Sequence, residues 1–167
     1  MYDELTEVDI KQMQEEIDYR MRVVRPKCVA DLKTAREFGD LSENYEYKAA
    51  KQELRHCDSR LRYLRKMIET ARVIRGDSAE DRVGLFDTVE VLFDGEDEPE
   101  TYRIMTTLRE DIFNNILSKE SPLGRALMGR RVGERVGYAR PDGQMCYVTI
   151  RALTKGQDDE SLSIRSF

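Results

Sequence analysis

Two apolar stripes that mirror each other across a single glycine constrain this chain more than any other feature. The first runs Ile10, Met13, Ile17, Met21, Val24, Cys28, Leu32, Ala35 in steps of three and four, the spacing of one helix face. The second runs Tyr47, Ala50, Leu54, Cys57, Leu61, Leu64, Ile68, Ala71 with strictly alternating steps, which is the seven-residue repeat of a left-handed coiled-coil seam. Read in opposite directions the stripes align, from Ala35 opposite Tyr47 to Ile10 opposite Ala71, and the paired residue numbers sum to 81 or 82. A constant sum is what an antiparallel helix pair in fixed register requires, and it puts the turn near residue 41, just after Gly39. Arms of about 30 residues would reach roughly 45 Å at 1.5 Å per residue. Pro26 falls inside the first arm. The stripe resumes in phase after it, so the expectation is one kinked helix.

The turn carries two carboxylates three residues apart, Asp40 and Glu43. Spacing alone leaves two readings open. An Asp followed three residues later by Glu is the pattern of a capping box, which would start the second helix and do nothing more. Alternatively, two carboxylates on a solvated tip supply oxygen ligands to a hard cation such as Mg²⁺. Two are too few for a private site, but they could complete a site whose other ligands belong to a partner. Beyond the tip, Lys48, Lys51, Arg55 and Arg62 lie at helical spacing beside the seam. That flank is either an ordinary solvated face or a contact for a phosphate backbone, RNA or DNA.

Charge argues against a whole-protein attraction to nucleic acid. Residues 1–75 hold 16 basic and 15 acidic side chains, and the rest of the 167-residue chain holds 12 and 18. Any nucleic-acid contact is therefore local. No apolar run reaches the roughly 18 residues of a membrane span, and the acidic start MYDELTEVDI lacks the basic and apolar regions of a signal peptide. Cys28, Cys57 and Cys146 are odd in number and widely spaced, so they read as small buried apolar residues in a reducing cytoplasm.

The first domain is expected over residues 1–75 and a polar linker over 76–81. A small α+β domain follows over 82–153, and a polar, loosely ordered tail over 154–167. Strands are expected at Thr88 to Phe93, Glu100 to Thr107, Arg135 to Ala139 and Met145 to Leu153, with a weaker candidate at Ile112 to Leu117. Ser121-Pro122 reads as the N-cap and first turn of a short helix ending at Met128. Pro141-Asp142-Gly143 reads as a hairpin turn.

The tip GDLSENYEYKAAK, the preceding TAREFGD, the later ETARVI, and then SPLGRALMGRRVGERV and PDGQMCYVTIRAL resemble the bacterial Gre transcript-cleavage factors, the GreA/GreB family. The resemblance runs from about Thr6 to Leu153. It implies an N-terminal antiparallel coiled coil and a C-terminal domain with an FKBP-like α+β fold. It implies that the globular domain docks on RNA polymerase, with Ser121, Pro122, Leu123 and Gly124 as docking candidates, and that the coiled coil enters the secondary channel. Asp40 and Glu43 would then complete the polymerase active site, sharing a Mg²⁺ held only in the complex, and promote cleavage of the nascent RNA 3′ end in backtracked complexes. On this reading the protein is a monomeric cytoplasmic accessory factor with no membrane partner, not an enzyme, and binds no cofactor alone. Lys48, Lys51, Arg55 and Arg62 are the RNA-contact candidates. The alternative is a regulator that occupies the same channel without promoting cleavage. A prolyl isomerase using the second domain would need an aromatic-lined pocket, whereas the aromatics of that half are scattered.

Overall fold

The computed structural model describes residues 4–39 and 43–165. The chain forms two compact units, one built from Ile10–Arg72 and the other from Glu4–Asp9 together with Val73 onward. The sequence boundary at residue 75 assigned Glu4–Asp9 to the helical half. In the structure this segment belongs to the second unit, where the carbonyl of Leu5 accepts from Ile74 N–H at 2.8 Å.

The helical unit comes from helices α1 (Glu7–Tyr19), α2 (Arg25–Arg36) and α3 (Tyr45–Thr70). The α1 start is a reciprocal capping box. Thr6 N–H donates to Asp9 Oδ2 at 3.0 Å, and Asp9 N–H donates to Thr6 Oγ1 at 3.2 Å. Between α1 and α2 the helical run widens into a π-turn at Arg20–Val24, where Arg25 N–H donates to the Arg20 carbonyl five residues back. Pro26 explains the widening. It has no N–H for the Arg22 carbonyl, and in an α-helix its ring would press on that carbonyl. A looser turn removes the clash while the helical path continues, so the expected kink takes the form of a π-bulge.

The stripes are unevenly covered: the first is buried at Met13, Ile17 and Ala35 and open between them, and the second is buried in its middle, from Cys57 to Leu64. Met13, Ile17, Ala35, Cys57, Leu61, Leu64 and Met67 are buried, and Met21 is 43% exposed. Val24, Cys28, Leu32, Ala50 and Leu54 are half-buried, because a two-helix pair offers only one covering stripe to each side. Ion pairs cross between the two arms. Arg25 Nε donates to Asp58 Oδ1 at 2.8 Å, and Arg60 reaches both oxygens of Glu16 at 2.8 and 2.9 Å. Arg60 is 3% exposed, so this cation belongs to the seam and not to the basic flank. Of the three free cysteines only Cys57 is buried; Cys28 and Cys146 are half-buried. Among the described residues no helix is long and apolar enough to cross a membrane.

In the second unit, strands β3 (Thr88–Phe93), β4 (Glu100–Met105), β5 (Ile116–Ser118), β6 (Arg135–Ala139) and β7 (Met145–Thr154) form one sheet in the order β5-β4-β3-β7-β6. The two-residue strands β1 (Glu4–Leu5) and β2 (Arg72–Val73) lie outside it. The β3–β4, β3–β7 and β6–β7 pairs are antiparallel, and β4–β5 is parallel. Alternate residues Val89 and Val91, with Val148 and Ile150, face a core closed by Leu123 and Leu127 of helix α4 (Pro122–Leu127). The weak strand expected at Ile112 to Leu117 divides into a 3-10 turn at Ile112–Asn114 and β5. Asn115 lies between them with φ 56°, a left-handed conformation that Asn tolerates.

The expected linker and tail are both tied into this unit. Lys155 Nζ donates to Ser78 Oγ, the Ala79 and Arg82 carbonyls, and Asp87 Oδ2 at 2.6–3.1 Å. Arg109 is the larger anchor. Its Nη2 donates to Thr6 Oγ1 at 3.0 Å and to Asp158 Oδ1 at 2.6 Å, and its Nη1 donates to the Asp159 carbonyl at 3.1 Å. Its Nε lies 2.7 Å from Asp9 Oδ1, off the hydrogen-bond direction, as a close ion contact. Composition made residues 154–165 look loose; they are fixed because the buried Arg109 guanidinium takes oxygens of Asp158 and Asp159, and Lys155 donates to oxygens between Ser78 and Asp87.

Candidate functional site

The joint between α2 and α3 is where the acids fall. Residues 40–42 lie outside the described part, so Asp40 has no described position. Glu43 is exposed and makes no hydrogen bond or ion pair with another described residue. Gly39 has φ 106°, a conformation that a side chain would oppose, and it lets the chain leave α2.

The cap of α3 is Asn44. Its Oδ1 accepts from Tyr47 N–H at 3.0 Å. Its Nδ2 donates to the carbonyl of Ala35, at the end of α2, at 2.8 Å. The capping-box reading of Asp40 and Glu43 therefore fails. Helix α3 begins at Tyr45, so Glu43 precedes the cap and is not its third helical residue. The signal for Asn44 was present in the sequence, since Asn is as good a cap as Asp. Its second bond to Ala35 was not, because it depends on the two helix ends meeting.

Cations and rings surround this joint. The guanidinium of Arg36 is 5.7 Å and Lys51 Nζ 5.9 Å from the Tyr47 ring, and Lys48 Nζ is 5.7 Å from the Tyr45 ring. A hydrogen bond from Arg36, assisted by the charge of Lys51, holds the Tyr47 phenol below its ordinary pKa despite some opposing desolvation. Phe38 and Tyr45 are exposed at 72% and 83%. Lys48, Lys51, Arg55 and Arg62 are all exposed, and their spacing puts them along one side of α3. Arg55 and Arg62 pair with no described acid, which leaves a positive strip able to meet phosphate.

The four docking candidates divide differently from the sequence expectation. Ser121 caps α4: its Oγ accepts from Gly124 N–H at 3.0 Å and donates to the Ser118 carbonyl at 2.7 Å. Leu123 is buried in the core. A Cβ on Gly124 would lie 2.1 Å from the Ser118 carbonyl oxygen, so this glycine exists to let α4 approach the sheet. Only Pro122 is exposed, with Ser121 half-buried. Elsewhere in this unit, Ile112 is 71% exposed and Phe113 100% exposed. Sequence reasoning took them for strand residues because apolar runs in short segments look alike.

Among the described residues no three His, Cys, Asp or Glu side chains are grouped to hold a metal ion.

Comparison with known proteins gives a consistent result. The family described as "Transcription elongation factor, N-terminal" matches residues 4–73, and "Transcription elongation factor, GreA/GreB, C-term" matches residues 78–155. The transcription elongation factor GreA of Bacillus licheniformis is 38% identical over 148 residues, covering 88% of this chain and 94% of that protein. GreA of Bacillus subtilis is 36% identical over 141 residues, covering 84% and 90%. Among solved structures, the GreA factor homolog 1 protein of Thermus thermophilus aligns over 93% of this chain and 100% of that one, at 22% identity with a TM-score of 0.42.

Proposed function

This chain belongs to the GreA/GreB family of transcription elongation factors, and from that premise we propose that it binds RNA polymerase in the secondary channel and stimulates endonucleolytic cleavage of backtracked nascent RNA, so rescuing arrested complexes. The observation that carries this reading is the cap of α3. Asn44 does the structural work at the helix start, and Glu43 is left exposed without a partner among the described residues. A carboxylate kept in water beside a rigid helix start is available to a second active site.

In this mechanism Asp40 and Glu43 each offer oxygen ligands at the tip, and the remaining ligands come from the polymerase. Mg²⁺ so shared would supply a polarised water for attack on a phosphodiester. Lys48, Lys51, Arg55 and Arg62 hold the phosphates of the displaced RNA 3′ end along the side of α3. Helix α3, at 26 residues, is about 39 Å long and gives the tip its reach. The protein acts as a monomeric cytoplasmic accessory and not as an enzyme by itself. The mostly antiparallel sheet with α4 packed on it is compatible with the FKBP-like arrangement, and Pro122 is the exposed part of the Ser121–Gly124 segment that touches the polymerase.

The test is cleavage of a stalled, backtracked elongation complex by its cognate polymerase, comparing the wild type with Asp40→Asn and Glu43→Gln over a range of Mg²⁺ concentrations. Loss of cleavage in both variants with partial recovery at high Mg²⁺ is expected. Binding of polymerase without cleavage by the wild type would turn the assignment to a channel-occupying regulator.

A further inference from the structure

The joint beneath the tip contains a bridge that joins the two arms through one side chain. The last carbonyls of α2 and the first amides of α3 have no partners inside their own helices. Asn44 bonds one of each: its Nδ2 donates to the Ala35 carbonyl at 2.8 Å, which also accepts from Phe38 N–H at 3.4 Å, and its Oδ1 accepts from Tyr47 N–H at 3.0 Å. Only an amide presents a donor and an acceptor on one flat group of this length. Serine and aspartate cap a helix equally well, yet a serine hydroxyl is too short to span the joint and a carboxylate has no proton to donate. The same joint is closed on a second side by Arg36 of α2 lying over the Tyr47 ring of α3. Ala35, the acceptor, is itself 5% exposed, so its carbonyl is fixed by packing and makes a rigid anchor.

We infer that Asn44 is a positioning residue: by tying Ala35 to Tyr47 it holds the end of α2 to the start of α3 and thereby aims Glu43, its immediate neighbour, at the metal site of the partner. The inference rests on the proposed cleavage function. It adds that Glu43 works only while Asn44 holds Ala35 to Tyr47, because a carboxylate beside an unanchored helix start must be ordered at the moment a metal is bound. Placement errors of about 1 Å in a catalytic constellation cost up to about 100-fold. Losing one of two clamps is expected to cost on the order of tenfold in cleavage, with a higher Mg²⁺ requirement.

The experiment compares Asn44→Ser and Asn44→Asp with the wild type and with Glu43→Gln. Both Asn44 variants keep an oxygen for Tyr47 N–H and lose the bond to Ala35. Agreement between them removes any effect of the extra charge in the aspartate. Three quantities are read: polymerase affinity, the Mg²⁺ concentration giving half-maximal cleavage, and amide exchange across residues 36–47. Expected are unchanged affinity, a Mg²⁺ midpoint raised several-fold with recovery at high Mg²⁺, and faster exchange in residues 36–43 while the Tyr47 amide stays protected. A residue that merely caps α3 leaves the Mg²⁺ midpoint where it is. Wild-type midpoints in both Asn44 variants beside an impaired Glu43→Gln would overturn the positioning role alone. An unimpaired Glu43→Gln overturns the cleavage reading, and the role of Asn44 with it.

Discussion

Replacing Asp9 by asparagine tests the arrangement that fixes both chain ends to the second unit. The Arg109 and Asp9 side chains are both fully buried, with Nε and Oδ1 2.7 Å apart. Asparagine keeps the shape, but with its oxygen accepting from Thr6 N–H its amide nitrogen faces Arg109 Nε, so the change removes the charge and sets two donors against each other. Arg109 would retain Asp158, whose side chain is 19% exposed, and two neutral oxygens. Removing one member of a buried ion pair costs about 3–5 kcal/mol. The surviving carboxylate puts the expectation at the low end, about 3 kcal/mol. Against a domain stability of about 5–15 kcal/mol that is a large share. With a urea slope of about 2 kcal/mol per molar, the midpoint for the second unit should fall by roughly 1.5 M. The assay is urea titration followed by backbone amide NMR signals of β3 and β7, which report this unit separately from the helical one. Asp9→Leu combined with Arg109→Met supplies the control, because an apolar pair of similar volume often restores what a broken ion pair loses. Asp158 then hydrates at the surface. A midpoint shift under about 0.3 M for Asp9→Asn, equal to about 0.6 kcal/mol, would sink this argument.

Other consequences are equally accessible. Burial raises the pKa of Glu16, but hydrogen bonds from Arg60 and Arg20 outweigh it and hold the carboxyl below its ordinary 4.5. The stabilisation is therefore complete above pH 4.5 and is lost as pH falls through the lower folded-state value. Melting of the helical unit should drop across that acid range in the wild type, and Glu16→Gln should be destabilised at neutral pH and flatter below it. Gly124→Ala forces a Cβ to within 2.1 Å of the Ser118 carbonyl oxygen. Overpacking of this kind costs about 1–3 kcal/mol, so calorimetry should show the second unit melting on the order of 10 °C lower; an unchanged melting temperature would mean α4 shifts freely. Replacing Lys48, Lys51 and Arg55 together by alanine should weaken crosslinking to the RNA 3′ end and its salt dependence without changing helix content. Equal crosslinking would return these residues to an ordinary solvated face.

Most of the elements were legible in local sequence pattern. Helical periodicity is local, so the stripes identified both arms, Gly39 the joint, and Pro26 the point of distortion. Alternation and turn residues located β3 and β6 at their observed limits and β7 to within one residue. The same local signals misled where the controlling partner was distant. Ile112 and Phe113 are apolar but belong to an exposed 3-10 turn. Residues 154–165 are polar but anchored, because Arg109 collects Asp158 and Asp159 from 49 and 50 positions away and Thr6 from 103. Arg60 reads as one cation in a basic run, yet Glu16, 44 positions away, draws it into the seam. At the tip the acids were legible as residues, and what frees Glu43 was not. That depended on Asn44 reaching Ala35 as well as Tyr47, a bond that exists only once α2 and α3 have paired. Periodicity reports which face a residue occupies. Which buried or bridging polar group meets which is decided by where distant segments come together, and no spacing along the chain encodes that distance.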